Sequence, residues 1–481
     1  MHVHLIGVAG TGMGSLAGLL RETGHRVSGS DTAFHPPMGP ALERWGVELR
    51  SGWNPANLEP PPDLVVVGNV CRPDNPEARA AIDAGLAYTS MPGALERFFL
   101  ADRPSFVVAG THGKTTTTAL LAHLLDAGGR NPGLLMGGIP RGADRGFRLG
   151  GVDAPFVIEG DEYDSAFFEK TPKFWRYRPQ AAVLTSLEHD HVDIYPDSEA
   201  YRAAFVELVR RLPQDGLLVA WAGDPAVRSV AAEAQCPVRY YALDGDECGE
   251  VAPVWLGATV APLGEAQPMD LFVGGTSCGR ILSPLSGEHN LRNALAAMAV
   301  AAEAGGLPVR ELTAALGRFA GVRRRQDLLG VADGVRVYDD FAHHPTAVRE
   351  TLRGLKRRHP EGRLLAGFEP RSATASRKLH QAMYPAAFAA ADRVWIAPVG
   401  RPEVGEAERL DVAALAAAIR AAGGAADAPA DVDALVQALV AEARPGDTVV
   451  LMSNGTFHGA HDRVLAELAA RRATTRAAPA T

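Results

Sequence analysis

Between Val107 and Thr118 the sequence reads VVAGTHGKTTTT. A Gly-rich turn ending in Lys-Thr after an apolar strand is a device by which backbone N–H groups cradle a polyphosphate. Phe106 to Ala109 form the strand. Gly110, Thr111, His112 and Gly113 form the turn, and Thr115 onward a helix whose first N–H groups face the phosphates. On this reading Lys114 reaches the terminal phosphates of a nucleoside triphosphate and the Thr115 hydroxyl holds Mg²⁺, with Thr116 and two more threonines at the helix start. The spacing departs from G-x-x-x-x-G-K-[ST]: Val108 stands where the first Gly would fall.

Two acidic segments follow. FVIEGDEYD, Phe156 to Asp164, is a strand ending in Glu159, with three more acids in the next five residues. A strand tip rich in carboxylates opposite a phosphate loop is where a Mg²⁺ ligand is expected. LTSLEHDHVD, Leu184 to Asp193, ends the next strand with Glu188, His189, Asp190, His191 and Asp193. Hard ligands plus an imidazole suit Mg²⁺ or Mn²⁺ better than zinc, and Glu159 with His191 are the preferred pair. SGEHNLRNALAA sets Asn290 and Asn293 one turn apart at the start of a helix, where their amides could read an adenine edge or act as caps. GVRRRQD, Gly321 to Asp327, carries three arginines that could reach phosphate across a domain gap or form a solvated linker. DDFAHHPTAVRE follows a strand and opens a helix at Pro345, which holds Asp340, His343 and His344 at a strand tip. Near the N-terminus, GVAGTGMG, Gly7 to Gly14, sits between a strand and a helix like a dinucleotide fingerprint, and Asp31 ends the second strand. Its order is G-x-x-G-x-G, so the physics supports a diphosphate or carboxylate resting on a helix N-terminus, or a purely structural turn, more than NAD.

The elements that must hold these residues alternate. Residues 1–103 carry strands at His2 to Gly7, Arg26 to Ser30 and Leu64 to Asn69, interleaved with helical patterns, which argues a parallel sheet covered by helices. Residues 104–321 repeat the alternation around the phosphate loop and include a long Ala-rich helix from Glu288 to Ala304. Residues 322–472 do so again, with strands at Val335 to Asp339, Leu364 to Phe368, Val394 to Pro398 and Thr448 to Met452 and helices near 345–358, 379–391, 410–422 and 431–443. The expectation is an α/β protein of three domains: a Rossmann-like N-terminal domain, a P-loop central ATPase domain and a Rossmann-like C-terminal domain. Residues 473–481 are poor in apolar side chains and are expected to be disordered. At 481 residues the chain is too long for one core. A net charge of −8 leaves no basic face for nucleic acid, and the chain has no apolar run fit to cross a bilayer and no leader-like N-terminus, so a cytoplasmic protein is expected. Cys71, Cys236, Cys248 and Cys278 are scattered without a CxxC pair, which disfavours a zinc site or disulfide framework.

Taken in order, GVAGTGMG, GTHGKTTTT, VIEGDEYD, LEHDHVD, GEHNLRNALAA, VRRRQD and DDFAHHPTAVRE resemble the motif series of the Mur ligase family, over nearly the whole chain. The resemblance implies an ATP-dependent amide ligase of cell-wall synthesis, with UDP-binding, ATPase and amino-acid- or peptide-binding domains in that order. It implies that Gly10, Thr11, Gly12, Met13 and Asp31 hold the UDP-sugar. Gly110, Thr111, His112, Gly113, Lys114, Thr115, Thr116, Asn290, Asn293, Arg325 and Asp340 would hold ATP, and Thr115, Glu159 and His191 the metal. Two branches of the family share the acceptor UDP-N-acetylmuramate: one adds L-alanine, the other the murein tripeptide L-Ala-γ-D-Glu-meso-diaminopimelate. GSDTAFHPPM, VGNVCRPDNPE, FEPRSAT and above all the stretch Phe167 to Pro179 resemble the tripeptide-adding branch. The carbamylated lysine of some relatives has no counterpart, since no Lys lies between Lys173 and Lys356. Lys114, Glu159, His191 and His344 are the catalytic candidates. His344 and His191 are the candidates for the general base, which the sequence does not assign. Arg371, Asn454 and His458 lie in strand-end loops where a peptide could be read. A Mur-like nucleotide-binding protein without turnover is the alternative from another class.

Overall fold

A computed structural model describes residues 1–192, 194–261, 266–401 and 403–477. Among these residues lie three main sheets, each fed by strand-helix alternation. In the first, five parallel strands lie in the order Glu48–Ser51, Arg26–Asp31, His2–Ile6, Leu64–Val67, Tyr88–Ser90. The two edge strands are short and partly exposed, so they lack the apolar run that reveals a buried parallel strand. The Gly-rich turn leaves His2–Ile6 through Gly7 at φ +88° and starts the helix Thr11–Glu22 with Gly10 as its N-cap.

The central sheet has ten strands. Its parallel heart runs Val238–Leu243, Leu217–Trp221, Pro179–Leu184, Ser105–Ala109, Phe156–Gly160, Gly133–Leu135. Ser105–Ala109 lies between Pro179–Leu184 and Phe156–Gly160, so the phosphate loop and both acidic segments emerge at one end of neighbouring strands. Three further strands, Trp255–Thr259, Gln267–Val273 and Thr276–Ser283, extend one edge, the last two as antiparallel additions, and Phe147–Arg148 pairs antiparallel with Gly133–Leu135 at the other. The three further strands carry no clear apolar run in the sequence, although Gly274 and Gly275, both at positive φ between two β-rich runs, mark a hairpin. A separate hairpin pairs Asp164–Ala166 with Glu169–Pro172, and its second strand falls in the stretch Phe167 to Pro179.

The third sheet is ordered Asp327–Ala332, Val335–Asp340, Thr448–Met452, Leu364–Phe368, Arg393–Ile396, Ala426–Asp427, parallel except for its first strand. Two expectations fail here. In place of a helix over 379–391 there is a 3₁₀ turn, Lys378–His380, and a single helical turn, Tyr384–Ala387. Pro385 removes a backbone donor within that stretch, which shortens any regular helix. At the C-terminus, the residues from 473 to 477 expected to be disordered continue the last helix, Ala460–Ala477. Alanine and arginine both favour helix, and apolar content was the wrong measure there. Residues 478–481 lie outside the described residues.

The three sheets are not joined alike. One hydrophobic cluster runs without a break from Val3, Leu16 and Phe99 of the first sheet's layer to Phe147, Phe156 and Phe205 of the second. The Phe147 ring sits on Gly18 of the first helix, where a Cβ would lie 2.1 Å from its Cζ, and meets Trp45 edge-on at 4.9 Å. Glu169 and Arg176, in and beside the hairpin, reach Ser90 and Glu96 of the N-terminal layer at 2.6 and 3.4 Å. The third sheet buries its apolar faces in two clusters of its own. Its contacts with the central sheet's residues include Thr374 to Asp190 at 2.6 Å, Thr346 to Glu188 at 3.1 Å and Arg357 to Glu288 at 2.6 Å.

Under the first sheet lies a buried carboxylate. Glu77 receives His4 Nε2 at 2.6 Å, the Ser30 hydroxyl at 2.7 Å, the Asn57 amide at 2.9 Å and the Asn54 N–H at 3.1 Å. Burial works to raise its pKa, but the bonds from His4, Asn57 and Ser30 outweigh it and hold the carboxyl below its ordinary value. A depressed carboxylate contributes stability above its unfolded pKa and loses it as pH falls through the folded one. Glu77→Ala is therefore expected to destabilise the N-terminal layer by about 3 kcal/mol or more at neutral pH. Denaturant unfolding checks this: the gap between variant and wild type should narrow as pH is lowered through the carboxylate range.

Candidate active site

The phosphate loop is shaped by two glycines and their neighbours. Gly110 has φ +130°, and a Cβ there would lie 2.2 Å from Thr185 Oγ1. Gly113 has φ +81°, and its Cβ would lie 2.4 Å from Asn293 Oδ1. Thr111 accepts from Glu188 N and donates to Glu188 O, both at 2.9 Å, so the loop is tied to the second acidic segment. Lys114 Nζ donates to Gly110 O at 2.6 Å and lies 3.0 Å from Glu162 Oε2. Of the four threonines after the Lys, Thr115 and Thr116 line the cleft, whereas Thr117 and Thr118 are fully buried with hydroxyls that find no partner. The extra hydroxyls are helix-packing groups.

Glu159 and His191 occupy two flanks of this loop. Glu159 accepts from the Thr115 hydroxyl and from Gly137 N, each at 2.7 Å. His191, at φ +53°, lies 3.2 Å from Glu162 Oε1, with Tyr163 against its ring at 4.3 Å. Between them stands Glu162, a residue the sequence reading passed over as one acid of a run. Its side chain is completely buried. It receives Tyr201 OH at 3.2 Å while its own carbonyl takes Tyr195 OH at 2.6 Å. Burial would raise its pKa, but the Lys114 ammonium and the bond to His191 prevail and hold it at about 2. Burial works against charge on Lys114 and His191 too, and the carboxylates around each outweigh it, so both pKa values lie above their ordinary positions. Burial, aided by Asp161, raises the Glu159 carboxyl. No signal in one sequence separates Glu162 from Asp161 or Asp164; the fold does, by turning Glu162 inward and leaving its neighbours in reach of Lys173 and Lys170.

The cleft beside the loop has a volume of about 480 Å³ and is lined from both the central and third sheets. Asn290 and Asn293 are buried on its wall. Asn290 donates to Ser286 O at 2.8 Å and Asn293 to Asn290 Oδ1 at 3.1 Å, which fixes both amides and sets Asn293 against the phosphate loop at Gly113. Further along, Trp221 donates to Asp246 at 2.8 Å, and Arg292 pairs with Asp246 and lies 5.0 Å over the Trp221 ring. This flat, charged wall was not foreseen, because Trp221, Asp246 and Arg292 are far apart in sequence and share no motif.

The three linker arginines have three destinations. Arg323 reaches Ala143 O at 3.0 Å, Arg324 reaches Ser453 O and Gly455 O at 2.7 and 2.6 Å, and Arg325 donates to Thr115 Oγ1 at 3.0 Å. Burial lowers the Arg325 pKa, while Asp340 and Glu159 favour its charge. Asp340 accepts from Gln326 N, Ala342 N and the Thr351 hydroxyl at 2.7, 2.8 and 3.2 Å, and burial raises its pKa. It organises the hinge into the third sheet.

His344 stands at the start of a helix. Its Nδ1 accepts from Thr346 N at 3.3 Å as N-cap of the helix Pro345–Arg358, and burial holds its pKa down at about 3. A group so weakly basic is a poor general base at neutral pH. His343 is likewise held at about 4 by burial. Arg371, Asn454 and His458 do gather: Arg371 and His458 approach the buried Glu369 at 3.4 and 3.6 Å, and the Asn454 Oδ1 is buried without a partner. In the N-terminal layer, Gly10 and Thr11 are exposed at the helix start, Gly12 is half-buried and Met13 buried. Asp31 gives one oxygen to Ala9 N at 2.9 Å and the other to Thr32 N at 2.7 Å, so it braces the Gly-rich turn. Asp193 lies outside the described residues.

Three family models match the chain: the Mur ligase family catalytic domain over residues 2–103, the Mur ligase middle domain over 108–301 and the Mur ligase glutamate ligase domain over 324–455. The UDP-N-acetylmuramate–L-alanyl-γ-D-glutamyl-meso-2,6-diaminoheptandioate ligase of Escherichia coli is 37% identical over 471 residues, 98% of each chain. A UDP-N-acetylmuramate–L-alanine ligase of Roseiflexus sp. is 38% identical over 410 residues, 83% of this chain and 85% of its own. The crystal structure of a murein peptide ligase from Psychrobacter arcticus matches with a TM-score of 0.70 and 35% identity, covering 98% of this chain and 99% of its own.

A side chain at position 113 would meet Asn293 and also take up a left-handed conformation costing about 1–3 kcal/mol. Gly113→Ala is expected to weaken binding of a fluorescent ATP analogue by about tenfold or more. Gly405→Ala, with open space around its Cβ position, should leave binding unchanged.

Proposed function

The chain belongs to the Mur ligase family, and from that premise we propose that it joins the lactyl carboxylate of UDP-N-acetylmuramate to the amine of L-Ala-γ-D-Glu-meso-diaminopimelate at the expense of ATP, as a cytoplasmic enzyme of peptidoglycan recycling. The observation that carries this reading is 37% identity over 98% of both chains to a ligase of that name, together with the 35% identity of a murein peptide ligase structure over 98% of this chain.

A carboxylate is inert toward an amine until one of its oxygens becomes a leaving group. Phosphorylation by ATP to an acyl phosphate supplies that leaving group, and attack by the peptide amine on the acyl carbon then yields the amide, ADP and phosphate. Magnesium fits the donor set: the Thr115 hydroxyl and the Glu159 carboxylate lie 2.7 Å apart beside the loop, and His191 adds an imidazole with no thiol near. When bound it would draw charge off the transferring phosphoryl group.

The chain's own groups do the rest. Lys114 and Arg325 bring two cations to the phosphate loop. Glu162 holds the Lys114 ammonium and the His191 ring against the loop. Asn290, Asn293 and the Trp221–Arg292 wall line the nucleotide cleft, whose other side belongs to the third sheet, so that docking of the third domain would shield an acyl phosphate from water. The exposed start of the helix Thr11–Glu22 would take the UDP diphosphate. Arg371 and His458, beside Glu369, would read charged groups of the peptide.

The test is ligation in ATP, Mg²⁺ and UDP-N-acetylmuramate, with the tripeptide and L-alanine compared as amines. Amide formation with the tripeptide is expected, and turnover with L-alanine alone would sink the assignment. Lys114→Met is expected to lower kcat by about 10²–10³-fold, the scale of losing one group that stabilises developing charge. Arg371→Ala should raise the KM for tripeptide by about tenfold, the scale of one charged hydrogen bond, with the KM for ATP unmoved.

A further inference from the structure

Beside the phosphate loop, but apart from Glu159 and His191, a second set of donors converges from two domains. His112 Nε2 lies 3.0 Å from Glu188 Oε2, and His344 Nδ1 lies 3.4 Å from the same oxygen. One ligand atom from each of the three residues falls within 4.8 Å of the other two. Donors about 2.1 Å from a tetrahedral ion stand about 3.4 Å apart, and the two separations from Glu188 Oε2 lie near that value. The His112 and His344 rings are 4.7 Å apart.

The hydrogen bonds leave this set unbalanced. Glu188 is held by His112 on one oxygen and by the Thr346 hydroxyl, at 3.1 Å, on the other. His344 Nδ1 accepts from Thr346 N through its single lone pair, so that atom offers Glu188 no proton, and an ion bound there would take the place of the Thr346 N–H. Two lone-pair-bearing atoms at 3.4 Å are what a cation between them would relieve. A fourth imidazole stands alongside: His380 meets the His344 ring edge-on at 4.6 Å, is about nine-tenths buried, and its Nε2 finds no hydrogen-bond partner.

We propose that His112, Glu188 and His344 form a site for a divalent transition metal, Zn²⁺ above all, that bridges the nucleotide-binding domain and the third domain. Two imidazoles and one carboxylate favour zinc over magnesium and leave a fourth position open. His112 and Glu188 line the nucleotide cleft, so that position is reached from the cleft. Because His112 belongs to the phosphate loop and His344 caps the first helix of the third sheet, an ion here would fasten the third domain to the loop.

The experiment is Zn²⁺ binding to the full chain in saturating Mg²⁺, read by competition with a chromophoric chelator, with Co²⁺ as a spectroscopic substitute. One tight equivalent with the intense visible bands of tetrahedral Co²⁺ is expected. His344→Asn keeps a side chain that can cap the helix, and Glu188→Gln keeps hydrogen-bonding capacity toward Thr346; each should weaken Zn²⁺ at least tenfold with circular dichroism unchanged. Glu159→Gln should leave it intact. The proposal is overturned if no Zn²⁺ binds over Mg²⁺, if both variants bind as tightly as the wild type, or if Glu159→Gln abolishes binding.

Discussion

A completely buried carboxylate, Glu162, is the constraint around which the site is built. An isolated charge in that position would be costly, and it is tolerated because Lys114 and His191 sit on its two oxygens while Tyr201 donates a further hydrogen bond. The tolerance works in both directions. The same carboxylate keeps Lys114 charged despite its burial, and it fixes the ring of a histidine whose backbone stands at positive φ. Three chain segments, the phosphate loop, the strand tip after Phe156–Gly160 and the loop after Pro179–Leu184, are thereby tied at one point. The parallel order of those strands brings the segments together, and the ion pairs decide how they face one another.

The second organising element is the linker. Consecutive residues Arg324 and Arg325, both close to the hinge at Asp340, face opposite ways: one braces the loop 453–455 of the third sheet and the other touches the Thr115 hydroxyl. Arg324 is at φ +61° and Gln326 at +47°, so the backbone twists to deliver them. A change in the seating of the third sheet would therefore be felt at the phosphate loop through a path one residue long.

Much of the chemistry was legible in the sequence because it sits in short contiguous strings. A loop that binds phosphate must be Gly-rich and must carry its Lys at a fixed offset, and Gly110, Gly113 and Lys114 announce themselves. The parallel strands were legible as apolar runs, and their alternation with helices gave three sheets. What escaped was whatever depends on contacts distant in sequence. Glu162 looked like its neighbours, Trp221, Asp246 and Arg292 belong to no motif, and the antiparallel strands after residue 255 alternate polar and apolar residues too irregularly to stand out. His344 is open to two readings for a different reason. A His before a Pro at a strand tip is as good a helix cap as a base, and the burial that separates the two is invisible in the string.

The continuous apolar cluster between the first two sheets has a consequence for how such an enzyme can change. A fully buried large apolar side chain contributes about 1.5–3 kcal/mol, so the contacts of Phe99, Phe147 and Phe156 cement the first two bodies. Exposed ion pairs such as Arg357 with Glu288 contribute about 0–1 kcal/mol, and the third body keeps its own apolar clusters to itself. Substitutions that reshape the third body leave the shared core untouched. The architecture thus lets the third body vary apart from the core that the first two share, and lineages can alter the one without having to rebuild the other.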